Sequence, residues 1–217
     1  MLMLKLSRTL CLSALAAMAQ SKTPTVPPLT ATVEDTFVRT LANGNSVTKT
    51  VTGQFYRDAQ GRTRIERGQL VTLQDPTTGT TVVIDLSSNA ARRFTAPHPV
   101  SATPSMSTVA GRPPHQDLGT QVISGVPVKG VQSVVTLPPG AIGNLGPITE
   151  TSEVWYSGSL ALAVETKSTD LLNGEHTELF TNIVSGASVD PALFSVPGGV
   201  QITDVQPSSR SGSQKLN

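Results

Sequence analysis

Along most of this chain hydrophobic residues recur at every second position, between clusters of Gly, Pro, Asn, Asp and Ser. That rhythm predicts half-buried strands rather than helices. Phe37, Arg39 and Leu41 alternate with Val38 and Thr40, so strands are expected to start near Thr36. Asn43-Gly44 then marks a hairpin turn whose register two loop lengths fit equally well. Ser46 to Gln54 returns. Leu70 to Gln74, Thr80 to Leu86 and Ala91 to Phe94 follow, separated by turns at Asp75–Gly79 and Ser87–Asn89. After a long interruption come Leu118 to Ile123, Val126 to Val128, Val131 to Leu137, Glu153 to Tyr156, Leu160 to Glu165 and Glu175 to Val184. Pro127 is expected on an edge or at a bulge, because it cannot donate to a ladder. Asp190-Pro191 reads as an N-cap followed by proline at the first helical position, opening one turn through Phe194.

The most specific local pattern is Gly53 to Glu66. Asp58 suits the first position of a type I turn and Gly61 the left-handed position that ends it. This turn sets Phe55 opposite Ile65, Tyr56 opposite Arg64 and Gln54 opposite Glu66. One face is then apolar and the other wet. A slip of one residue would place Phe55 beside Arg64. The predicted fold is all-β, a single curved antiparallel sheet or half-open barrel with meander connectivity and one short helical turn near the C-terminus.

Several stretches fall outside this rhythm. Lys5 and Arg8, the apolar run Leu10 to Met18 and Ala17-Met18-Ala19 have the order of a secretory leader ending at residue 19. A lead-in at 20–35 is rich in Pro and Thr. Residues 36–205 then read as one β domain, interrupted at 96–117 by a Pro- and Ser-rich loop, with a polar tail at 206–217. Export implies a periplasmic or secreted location. No apolar run after the leader is long enough to span a bilayer as a helix.

Composition sharpens this picture at three points. The single cysteine, Cys11, lies in the leader, so a processed chain has no thiol for disulfides, catalysis or thiolate metal sites. The formal charge of +1 loses Lys5 and Arg8 on cleavage and becomes −1, which gives no net positive field for nucleic acid or an anionic membrane. Aromatic residues make up only 4%, so the core must be built mainly from Val, Leu and Ile.

Candidate chemistry is sparse. Trp155 and Tyr156 face opposite sides of one strand, and with Phe55 and Ile65 they are the candidate ligand-lining residues, a packed core being the alternative. Arg57, Arg62, Arg64 and Glu66 form a candidate interaction patch, against the alternative of solvated cross-strand ion pairs. His176 and Glu178 share one strand face, with Asp170 upstream, but two ligands without an assured third make no metal site. The glycines of Pro138 to Pro147 lack the Lys-Ser/Thr and following helix of a phosphate loop. No catalytic motif is present, and neither an enzymatic activity nor a cofactor is expected.

Tyr56 to Glu66, Leu137 to Asn144, Glu153 to Ser157 and Pro191 to Pro197 together resemble an uncharacterised family of secreted bacterial β-rich proteins, over most of Thr36 to Asp204. More distantly the plan is similar to LolA-like lipoprotein carriers and periplasmic lipid-binding domains. That resemblance implies a concave apolar face that holds an acyl chain, lipid or lipoprotein. The carriers' amphipathic helix before the first strand has no counterpart in Gln20 to Glu34. The leading expectation is therefore an exported hydrophobic-ligand binder. The alternative is an envelope interaction or sensor module using the arginine-bearing hairpin 53–67 and the long loop.

Overall fold

A computed structural model describes residues 26–95, 115–170 and 174–205. The leader, most of the Pro-rich loop and the tail expected from the sequence lie outside these residues. Twelve strands form one open sheet: β1 (Leu29–Thr40), β2 (Ser46–Arg57), β3 (Thr63–Arg67), β4 (Leu70–Asp75), β5 (Thr80–Asp85), β6 (Ala90–Thr95), β7 (His115–Ile123), β8 (Val126–Leu137), β9 (Ile148–Ser157), β10 (Leu162–Asp170), β11 (Gly174–Ser185) and β12 (Gln201–Val205). A 3₁₀ turn at Pro191–Phe194 precedes β12, and Asp190 caps it by accepting from the Ala192 N–H.

The order across the sheet is β12-β6-β5-β4-β3-β2-β1-β11-β10-β9-β8-β7. Two meanders, β1 to β6 and β7 to β11, meet where β1 pairs with β11. The first strand of the chain is therefore central and buried on its inner face. Its alternation is Leu29, Ala31, Val33 and Asp35 inward, and Thr30, Thr32 and Glu34 outward. β1 begins at Leu29, not near Thr36, so the expected lead-in supplies half of this strand. β12 is a further departure: it pairs in parallel with β6.

The hairpin register is as the sequence dictates, with Phe55 opposite Ile65, Tyr56 opposite Arg64 and Gln54 opposite Glu66. The Asp58 carboxylate accepts from the N–H groups of Gln60 and Arg62, and Gly61 has φ +81°. The Asn43-Gly44 hairpin uses the same turn: Gly44 N–H donates to the Leu41 carbonyl and Leu41 N–H to that of Asn45. This settles the register the sequence left open, with Thr40 opposite Ser46. Pro127 lies in β8, which is not an edge strand, but β9 begins to pair only at Lys129.

The core has two parts on opposite faces of the sheet. Leu29, Ala31, Val33, Phe55, Val128, Trp155, Leu160, Leu162, Val164 and Phe180 form the first. Val71, Leu73, Val82, Ile84 and Ala91 form the second, with Val196 and Val200 packed against it. Register requires the switch: Phe55 and Ile65 align with Thr72, whereas Val71 and Leu73 align with Glu66 and Arg64. The face expected to be wet at β3 thus becomes a buried face at β4 to β6, roofed by the C-terminal segment.

Arg57 shows that the sheet is curved. Its guanidinium donates to the carbonyls of Pro27, Leu160 and Ala161. β2 and β10 are three strand spacings apart, roughly 14 Å in a flat sheet, beyond the reach of one side chain. The sheet must curl to bring the β9–β10 turn over the end of β2.

Two substitutions test this packing. Gly130 lies under the Trp155 ring, which a Cβ at that position would overlap, so Gly130→Ala is expected to cost about 1–3 kcal/mol and shift tryptophan emission. Arg57→Met strands three carbonyls and should cost roughly 3 kcal/mol or more in urea unfolding. An unchanged midpoint for either variant would refute the corresponding contact.

Candidate functional site

Long strands that outrun their own core create the candidate site. On β1 the inward row reads Leu29, Ala31, Val33, Asp35, Phe37 and Arg39. Register places Phe55, Gly53, Val51, Lys49 and Val47 beside it on β2, and Phe180, Glu178 and His176 beside it on β11. Apolar packing ends at Val33 and Phe180. Beyond it the same face carries a charged network and then exposed apolar side chains, Phe37 at 42% and Val47 at 54% of full exposure.

Asp35 is the centre of the network. It is buried, and its two oxygens accept from different partners: Oδ2 from Arg67 Nε at 2.5 Å and Oδ1 from the His176 ring at 3.0 Å. Arg67 also pairs through Nη2 with Glu178. Phe37 stacks on the His176 ring, with centroids 4.4 Å apart and planes 9° from parallel. Burial pushes the Glu178 carboxyl above its ordinary range; Arg67 opposes this, Asp35 adds to it and His176 opposes it. Two carboxylates face one guanidinium, so the network favours a proton or another cation. Among the described residues no three His, Cys, Asp or Glu side chains, those of this network included, are placed to hold a metal ion.

The expected ligand-lining residues divide. Phe55 and Trp155 are buried, Phe55 edge-on to Phe180 at 5.2 Å, and Ile65 packs against them. They form a packed floor that is part of the first core. Tyr156 lies one position on from Trp155, opposite Ala163, and is half-buried.

The four patch residues do not share one surface. Arg57 turns into the first core. Arg62 pairs with Asp58 and sits 4.9 Å over the Phe194 ring. Arg64 pairs with Glu66 and donates to the Leu193 carbonyl at 2.9 Å. Arg62 and Arg64 fasten the C-terminal segment to the second core. Beneath that segment a cavity of ≈ 190 Å³ is lined by Arg62, Thr63, Leu73, Val82, Phe194 and Val196, among others. Sequence reasoning noticed His176 and Glu178 and counted Arg67 among the hairpin arginines, but missed Asp35, which brings them together. Asp35, set between Leu29, Ala31, Val33 and Phe37 in the inward row, was the available signal.

No family model and no curated protein matches this chain. Among solved structures it is similar to PNGF-II (16% identity, 82% of this chain and 31% of that one, TM-score 0.45). It is also similar to the MucA/MucB complex of Pseudomonas aeruginosa (12%, 82% and 59%, 0.48). A third is a LolA superfamily protein from Nitrosomonas europaea (9%, 80% and 91%, 0.36). The chain spans about a third of the first and three-fifths of the second. A protein of the LolA superfamily, the one the sequence was expected to resemble, is thus among its structural neighbours.

The sign of the pH dependence follows from Glu178. A carboxyl whose folded-state value is raised stabilises the fold below its unfolded value, near 4.5, and that contribution is lost as pH rises through the raised folded value. Glu178→Gln removes this titration. Its Tm relative to the parent should improve between pH 4 and pH 7 in thermal melts, and a pH-independent difference would rule the assignment out.

Proposed function

We propose that this chain is an exported, non-enzymatic binding domain. It takes an acyl chain, carried by a lipid or lipoprotein, on the open half of its inner face. One observation carries the reading: the first core stops at Val33 and Phe180, while the same face continues past a half-buried Val51 to the exposed Phe37 and Val47. Covering exposed apolar surface stabilises a complex by about 25 cal/mol per Å². Phe55, Ile65 and Trp155 lie inward of this open half, in the packed core that backs the site, with Tyr156 next to Trp155 on β9. The charged network at Asp35 marks the inner limit of the site, where a polar head group finds partners that the apolar floor lacks.

A protein-interaction reading draws support from a different feature. β7 is an open edge strand with Val122 at 68% exposure. Such an edge can take up an additional strand.

The test is native mass spectrometry of protein purified from expressing cells, before and after organic extraction. A bound mass that extraction removes, and that Phe37→Asp reduces at least tenfold, is the expected outcome. An apo mass that stays unchanged after incubation with phospholipid and with a lipopeptide would overturn the proposal. Recovery of a bound protein instead would favour the edge-strand reading.

A further inference from the structure

The cavity beneath the C-terminal segment plays no part in the acyl-chain site. It lies against the second core, on the opposite face of the sheet. Register builds a gradient into it. Leu73 pairs with Val82, and the next pair on the same face is Asp75 with Thr80. Leu73 and Val82 are buried and floor the cavity, while Phe194 and Val196 close it from the roof. Asp75 and Thr80 line it one pleat further on, next to Thr78, which is exposed and marks the open side. The space of ≈ 190 Å³ exceeds the roughly 150 Å³ that holds benzene in a protein interior. A six-membered ring and about three further atoms can enter it.

Among the described residues two charged side chains line the cavity, and only one of them is committed elsewhere. Arg62 donates through Nε and Nη2 to Asp58 Oδ2, each at 2.6 Å, and its guanidinium lies over the Phe194 ring. Asp58 is itself buried, so this pair is neutral at the cavity wall. Asp75 has no neighbouring cation among the described residues. Its Oδ1 accepts from the Thr77 N–H at 2.8 Å, the Thr77 hydroxyl at 2.6 Å and the Thr78 N–H at 3.4 Å. Its Oδ2 accepts from none of these groups. Partial burial raises the Asp75 carboxyl, and the Thr77 and Thr78 bonds more than offset this, so it lies below its ordinary value and is ionised at neutral pH. The walls thus combine an apolar floor, a neutralised guanidinium and one uncompensated carboxylate.

We propose that this cavity binds a small primary amine, its apolar body on Leu73 and Val82 and its ammonium at Asp75. An ammonium carries three donors and accepts nothing. The Asp75 carboxylate and the hydroxyls of Thr78 and Thr80 are the acceptors that line the same end. The Thr78 hydroxyl donates to the Asp75 carbonyl at 3.5 Å, which leaves its lone pairs free to accept. Other occupants fit less well. An anion would meet the Asp75 charge while the guanidinium is held by Asp58. A sugar would set hydroxyls on the apolar floor, where burial without partners is costly. A metal ion would find one carboxylate and no imidazole among the lining residues. None of these residues belongs to the acyl-chain site, so the loss of one site leaves the other standing.

The experiment is an NMR titration of the isotope-labelled full chain with phenethylamine, 2-phenylethanol and 3-phenylpropionate. The amine and the alcohol match in size and differ in charge. Phenethylamine is expected to shift the amides of Leu73, Val82 and Phe194, with a Kd of roughly millimolar or below. The alcohol should bind at least about tenfold more weakly, and the propionate more weakly still. Asp75→Asn keeps an oxygen for the Thr77 and Thr78 bonds and removes the charge. It should weaken the amine at least about tenfold, leave the alcohol unchanged and keep the melting temperature of the parent. The comparison of amine with alcohol on the parent chain holds whether or not the variant folds. Equal binding of amine and alcohol, undiminished amine binding by a folded Asp75→Asn, or no shift at these three amides with any probe would overturn the proposal.

Discussion

The buried guanidinium of Arg57 is the contact on which the shape of the inner face depends. A flat twelve-stranded sheet would have no concave side. By donating to Pro27 on the approach to β1 and to Leu160 and Ala161 between β9 and β10, Arg57 ties three separated parts of the chain at one end. Its burial pushes the guanidinium down from its ordinary value, with Tyr156 opposing. Three carbonyl acceptors offset part of the desolvation without an ion pair. The tie lies at the end where the first core is packed, so the sheet is held at one end and left open at the other.

A second constraint follows from pairing. A sheet this wide cannot bury one face throughout without a cover, and here the buried face changes between β3 and β4. The exchange is made by Arg64 and Glu66. They lie on the outer face of the hairpin and align with Leu73 and Val71. The outer face then has an apolar half that needs a roof. The chain supplies it from residues 190–200, fixed by the cap at Asp190, the Arg64 bond to Leu193 and the stack of Arg62 on Phe194. The hairpin arginines are thus used within the fold, as clasps.

What the sequence made legible was local. The 53–66 hairpin could be read to the residue because an Asp–Gly turn and an aromatic–aliphatic pair fix register together. Most later strands were legible for the same reason, as was the capped turn at Asp190. What it concealed depends on partners far along the chain. β1 began seven residues early because its alternation is carried by Leu, Ala, Val and Asp among threonines, next to a run of prolines. β12 is a five-residue strand recruited by β6, and nothing in Gln201 to Val205 announces a parallel pairing. The face switch needs the strand order. The network at Asp35 joins residues up to 141 positions apart, and no spacing rule connects them.

That network also explains why the core stops where it does. In the inward row Leu29-Ala31-Val33-Asp35-Phe37, the aliphatic packing is interrupted at Asp35, before Phe37 and Val47. A buried carboxylate causes the break. It must be solvated by Arg67 and His176, and those groups bring Glu178 with them. An aliphatic replacement of similar volume is often as stable as such an ion cluster. Its effect on the fold is therefore less to strengthen it than to end the packed core at Val33 and Phe180. The stack of Phe37 on His176 fits that account, because it leaves one apolar ring fixed and exposed at the boundary between the packed floor and the open half.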